Sequence, residues 1–400
     1  MNTINKLSAL LALVSLSGYV SAQTSPLCGD IGEISPEIIE VNGQYPIVCE
    51  LNTNTPIADG DTLRAAYYGI DVVWTIRGIV KVGNGDQALS AGQTPTTVAL
   101  YVEKGVQFRS LDASALVVTR GSEIHIEGTA AEPVVMASKD NNFTGIGEWG
   151  GLVLQGYGIV NDCGTTGSVC NVEAEGVSTA GNISYFGGFD NNDSSGSITY
   201  LEIYESGFDV AGSLDAERSG NEINALTLVG VGANTILENI TIKNGLDDGI
   251  EFFGGAAEVD TISIYCISDD SIDYDLGWSG SIDNAYVEQC DNVGFDGSGT
   301  AIVLADHVVE ASGNPNDFDA LPFSEPTITN FSFVSTGTDE ALKFKEGAAG
   351  HISVTSATIN VDQLGGNKGC LEIIDLETQD RISSGHLTVN APTAPNCVIP

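Results

Sequence analysis

The chain has 400 residues, 42% of them hydrophobic, with 48 glycines. Its 14 basic residues face 54 acidic ones, a net charge of −40. Such a surface repels nucleic acid and anionic membranes, so neither is an expected partner. Long helices are excluded too, because few windows hold apolar spacings of three and four without glycine or β-branched interruptions.

Residues 1–22 read as a secretory signal. Lys6 gives the positive start, 7–16 the apolar core and Val20-Ser21-Ala22 the small-residue cleavage pattern. The apolar run is too short for a membrane span, and no later segment is long and apolar enough for one. The expected location is therefore secreted or outer cell surface, with the periplasm as the variant. The eight cysteines agree, since an even number in an exported chain forms disulfides by default. Pairing sequence neighbours predicts Cys28–Cys49, Cys163–Cys170, Cys266–Cys290 and Cys370–Cys397.

Residues 23–70 carry Pro26, Pro36, Pro46 and Pro56 and no repeat, and are read as an N-terminal cap. A solenoid needs one to cover its first open edge. From Asp71 short strand-like runs follow one another. The stretch Leu116-Val-Val-Thr-Arg120-Gly-Ser-Glu-Ile-His125 through Gly128-Thr-Ala-Ala-Glu-Pro133-Val-Val reads as strand, turn, strand, turn, strand. Glu148-Trp149-Gly-Gly-Leu-Val-Leu leads into an insertion over 161–181 that holds Cys163 and Cys170. Then come Asn221-Glu-Ile-Asn224-Ala-Leu-Thr-Leu-Val-Gly-Val-Gly and Asp247-Asp248-Gly-Ile-Glu251-Phe-Phe-Gly-Gly. Acidic pairs or their Asp-Asn equivalent recur at 247, 269 and 291, a period of 22 residues. A fixed period in the low twenties with short β-rich runs marks a stacked solenoid. The fold class predicted is all-β: a single right-handed parallel β-helix over 71–390, behind the cap and before a tail at 391–400.

These motifs, over about 70–335, resemble a family of secreted bacterial right-handed parallel β-helix proteins, mostly of unknown function. The resemblance implies the fold and transfers no catalytic residue.

The acidic repeat is the main candidate site. Equivalent positions of successive coils lie ~4.8 Å apart. Asp247, Asp269 and Asp291 then form one ladder, and Asp248, Asp270 and Asn292 another. Like charges at that spacing repel by about 3 kcal/mol per pair at an effective dielectric near 20. A cation, a nearby lysine, raised pKa values or backbone N–H groups must offset this. Oxygen donors suit calcium, with Asp247, Asp269, Asp291 and Asp275 as ligands. The alternative is turn chemistry, in which Asp before Gly or Ser accepts backbone hydrogen bonds. Glu251, Asp273 and Asp296 make a second column, with Asp275 on the same strand face as Asp273. The segment Asp339-Glu340-Ala-Leu-Lys343-Phe-Lys345 repeats the form with lysine in place of acid. If the chain is an enzyme, Asp248, Asp270, Asp273 and Lys343 are its catalytic candidates.

Polygalacturonase-type hydrolases offer a comparison in order but not in spacing. Gly350-His351-Ile352 and Arg381-Ile382-Ser383 follow the Asp pairs, yet lie several coils away and differ in their third residue. Trp149, Tyr185, Tyr200 and Tyr204 are candidate sugar-stacking residues, weighed against core packing. The leading functional reading is a secreted or cell-surface recognition protein that meets an extracellular polysaccharide and takes calcium as its stabilising ion. The alternatives are a polysaccharide lyase or glycoside hydrolase, and a structural or adhesive surface component.

Overall fold

A computed structural model describes residues 24–400 apart from 141, 180, 215–220, 291–292, 296–300, 304, 337–338, 361–368, 393 and 400. The signal-like segment 1–22 lies outside the described residues. Among the described residues two long sheets dominate, one of 16 strands and one of nine, and both are stacked almost wholly in parallel. The chain is a parallel β-helix, and each coil adds a strand to the stack.

The parallel ladder starts earlier than proline content implied. Ile47–Asn52 already pairs in parallel with Ile70–Arg77, inside the stretch read as a cap. The antiparallel strand pairs in this stretch are Glu33–Ile34 against that first strand and Ala66–Tyr67 against the start of Ile70–Arg77. The Cys28–Cys49 disulfide ties the first of these down. The other three predicted disulfides, Cys163–Cys170, Cys266–Cys290 and Cys370–Cys397, are also present, and no cysteine is free. Cys266–Cys290 joins neighbouring coils, because Cys266 follows Glu258–Tyr265 and Cys290 follows Ser281–Glu288, which pair in register.

Alternation decides which side chains enter the core. In the nine-stranded sheet the column Val118, Leu154, Leu228, Phe252, Tyr274, Ala311 and Phe344 is in register and buried. Apolar side chains stacked coil on coil give the continuous core that no single coil could bury. The 16-stranded sheet carries a regular irregularity. Tyr200, Asn239, Thr261, Asn284 and Asn330 all have φ between +50° and +62° and are skipped by the pairing register. Three of the five are Asn, which tolerates the left-handed region best among residues with a side chain.

The outward side of the nine-stranded sheet positions the site. Its column reads Lys81, Val117, Val153, Thr227, Glu251, Asp273, Glu310, Lys343, Glu372. Val117 and Val153 are buried under the 161–190 insertion, together with Val160, Cys170, Phe186 and Phe253. Further along the same column that apolar cover ends, and the residues become charged.

Candidate functional site

Two rows of side chains meet on this outer face. The first lies in the turn that enters each strand. Asp270 N–H donates to Asp248 Oδ1 at 3.0 Å, and His307 N–H donates to Asp270 Oδ1 at 2.8 Å. Each aspartate thus caps a backbone donor of the following coil, the turn chemistry that favours Asp here. His307 also places Nδ1 2.8 Å from Asp270 Oδ1. It is buried, and its Nε2 has no partner among the described residues.

The second row is the strand column itself. Asn224 Nδ2 donates to Glu251 Oε2 at 2.5 Å. Lys343 Nζ lies 2.6 Å from Glu310 Oε1, and Lys345 Nζ pairs with Glu310 Oε2. Asp273 and Asp275 each keep one buried oxygen without a partner among the described residues. One carboxylate oxygen from each of Asp248, Glu251 and Asp273 falls within 4.8 Å of the other two, and the same holds for Asp270, Asp273 and Glu310.

Three of the offsets expected for stacked acids are therefore present: backbone N–H groups, lysines and raised pKa values. Burial, reinforced by neighbouring carboxylates, holds Asp248, Glu251, Asp273 and Asp275 well above the ordinary carboxylate range. Burial lifts Asp270 to about 7 against the opposing pull of His307. Asp247 rises to about 8 through burial and then the charge of Asp269. Glu310 goes the other way: burial pushes it up, but the hydrogen bonds from Lys343 and Lys345 outweigh that and keep it below its usual value. Burial pulls both ammoniums down, and Glu310 more than compensates. The row is thus one carboxyl held below its usual range by two cations, among carboxyls held above theirs. Such a set can donate protons, accept them, or hydrogen-bond hydroxyls.

The predicted enzyme candidates Asp248, Asp270, Asp273 and Lys343 are brought into this one cluster. Asp275 sits on the adjacent outward column, in register with Phe253, and lines a cleft of ≈ 550 Å³ with Asp162, Glu173, Glu175 and Pro315. Asp247 and Asp269 approach each other and Asp248 as the 22-residue period requires. Asp291 and Asp296 lie outside the described residues. Between Asp270 and the next described rung the chain forms an antiparallel hairpin, Val293–Phe295 against Ala301–Val303. Asp306 and His307 resume the turn row, 37 residues separating Asp270 from His307, and Glu310 follows Asp273 in the column. His307 and Glu310 were missed for that reason. The signal was the alternation of Val309–Ser312, which matches that of Leu342–Lys345.

The aromatic candidates do not gather here. Trp149 is fully buried, donates from Nε1 to Tyr204 O at 2.7 Å and offers no face to a ligand. Of its two readings, sugar stacking and core packing, the second is the one it adopts: its indole fills the inside of the coil. Tyr185 is half-buried in the short pair Val172–Glu173 with Tyr185–Phe186. Tyr200 and Tyr204 belong to the other sheet, where Tyr204 stacks on Phe143 at 5.0 Å and donates to Glu202 at 2.9 Å. The polygalacturonase comparison fails in space as in spacing. His351 faces Glu325 and Thr388 on the 16-stranded sheet, and Arg381 is held in the helix Leu376–Ser384 by Phe318 O and Asp319.

A second carboxyl cluster lies elsewhere. Ser138 Oγ is 2.7 Å from both Glu148 Oε2 and Glu205 Oε2, and Gly145 N–H donates to Glu205 Oε1 at 2.9 Å. A hydroxyl has one proton to give, so one of the two carboxyls must carry its own. Burial accordingly lifts the fully buried Glu205 to about 7.

The fold and this face define a parallel β-helix protein with a charged row on one outer sheet. Residues 89–396 match the family described as pectate-lyase like beta helix domain, and the chain belongs to it. No curated protein matches the sequence. Among solved structures, an alginate lyase from Paenibacillus sp. str. FPU-7 aligns at 13% identity over 69% of this chain and 91% of that one, with a TM-score of 0.17. No helix among the described residues is long and apolar enough to cross a membrane.

Proposed function

We propose that the protein is an exported glycan-recognition solenoid that seats an extracellular polysaccharide along the outer face of its nine-stranded sheet. The observation that carries this is the outward column, which passes from apolar and covered at Val117 and Val153 to charged at Glu251, Asp273, Glu310 and Lys343. Carboxyls of raised pKa beside one of lowered pKa suit sugar hydroxyls as donors and acceptors. The net charge of −40 favours neutral chains over uronates. Export is supported by the four disulfides and the leader-like start. The test is affinity electrophoresis through gels containing neutral glucans, galactans or polygalacturonate. Retardation by a neutral polymer that weakens in Asp273→Asn is expected. Free migration through every gel would sink the reading and leave a structural or adhesive surface component.

Calcium is the ion this site would take. Asp247, Asp248 and Asp269 each bring one carboxylate oxygen to within 4.8 Å of the others, the oxygen-only chemistry calcium prefers. Equilibrium dialysis with calcium and a melting curve in EDTA test it. No bound ion and an unchanged melting temperature would remove calcium from the account.

A second reading, a glycoside hydrolase or polysaccharide lyase, is favoured by one observation. Asp248, Asp270, Asp273 and Lys343 converge, with acids of raised and lowered pKa side by side. New reducing or unsaturated ends from a polysaccharide panel, abolished in a folded Asp270→Asn variant, would establish it.

A further inference from the structure

A separate pocket of ≈ 350 Å³ also borders the disulfide-closed insertion and shares no lining residue with the acidic cleft. Tyr157 and Phe189, both half-buried, line it, and exposed Gln93, Ser168 and Asp190 supply polar groups around them. Arg120, also in the lining, is fully buried. Its Nε donates to Gly85 O at 2.8 Å. Its Nη1 donates to Cys170 O and Gly187 O at 2.8 and 3.1 Å, and its Nη2 to Gln87 O and Asn171 Oδ1 at 2.7 and 3.2 Å.

That bonding has two consequences. A guanidinium has five N–H donors, and all five are used on protein acceptors. The pocket's cation therefore has nothing left for a phosphate or carboxylate, and Asp190 repels one. The same five bonds fix segments 85–87, 170–171 and 187 relative to one another, and Cys163–Cys170 closes the insertion beside them. The walls are set before any ligand arrives, which lowers the entropic cost of binding. A ligand for this space is uncharged, has a ring face for the aromatic side chains, and has hydroxyls for the polar ones.

We propose that this pocket binds one or two sugar rings of a neutral glycan, as a site distinct from the acidic row. The assignment does not rest on the function proposed for that row. It is tested on the full chain by saturation-transfer NMR and calorimetry. The probes are cellobiose, maltose and N,N′-diacetylchitobiose, with digalacturonate as the charged comparator. At least one neutral disaccharide should bind and digalacturonate should not. Ser168→Trp, at an exposed wall position, should fill the pocket and weaken binding at least tenfold. Gln93→Ala should weaken it severalfold. Circular dichroism melts matching wild type show that both variants fold. The assignment is overturned if no neutral disaccharide binds, or if binding survives both substitutions. It is also overturned if Asp275→Asn abolishes binding while Ser168→Trp does not, since the sugar then belongs to the acidic cleft.

Discussion

Glu205 offers a quantitative test of how this acidic protein handles buried charge. Its carboxyl is fully buried, shares Ser138 with Glu148, and is raised from 4.5 to about 7. A carboxyl raised on folding binds its proton more tightly in the folded state. Its stabilising contribution is complete below pH 4.5 and is lost as pH rises through about 7. Integrated from pH 5 to pH 8, the loss from this one group is about 2 kcal/mol. Glu205→Gln copies the protonated form, since its amide can donate to Ser138 and its oxygen can accept from Gly145. Thermal melts of wild type and variant at pH 5 and pH 8 isolate the term. Wild type should lose a few degrees more than the variant on going to pH 8. A difference between the two proteins that is the same at both pH values would refute the buried-proton argument.

Three further outcomes are expected. Glu310→Gln strands two part-buried ammoniums, of Lys343 and Lys345, with 20% and 27% of their side-chain surface exposed. Urea titration should show a loss of about 3 kcal/mol, partly recovered when Lys343→Met is added. Replacing Cys266 and Cys290 by Ser frees a 24-residue separation between neighbouring coils and should lower stability by about 3 kcal/mol, read as a lower melting temperature than wild type under non-reducing conditions. Arg120→Lys leaves three donors for five acceptors, so the insertion should loosen. Faster cleavage by a glutamyl endopeptidase at Glu173 and Glu175 would report it, and unchanged cleavage would deny the clamp its role.

Much of the fold was legible because its determinants are local. A strand that alternates, as Ile-Asp-Tyr-Asp does at 272–275, declares its two faces without knowledge of its neighbours. The pairing of cysteines followed from nearness in a chain that stacks on itself. The Asp248 and Asp270 turns announced themselves because an aspartate that caps the next coil must recur with the coil. Trp149 was not legible: an indole reads as core or as ligand platform until its Nε1 partner, Tyr204 O, is seen. Proline in 23–70 hid the first parallel strand for a similar reason, since only its pairing with 72–77 makes 47–52 part of the solenoid.

What the sequence determined by itself was the repeat: short strands, glycine- and aspartate-rich turns, and a 22-residue period. These properties belong to one coil and are copied along the chain. What only the tertiary structure decided was which acids meet. The hairpin Val293–Phe295 with Ala301–Val303 breaks the period, so register alone puts Glu310 beside Asp273 and His307 beside Asp270. Likewise, only packing of the 161–190 insertion covers Val117 and Val153 and leaves Glu251, Asp273 and Lys343 on the same column beyond that apolar cover. Local preference writes each coil, and a site made between coils depends on contacts that no single coil contains.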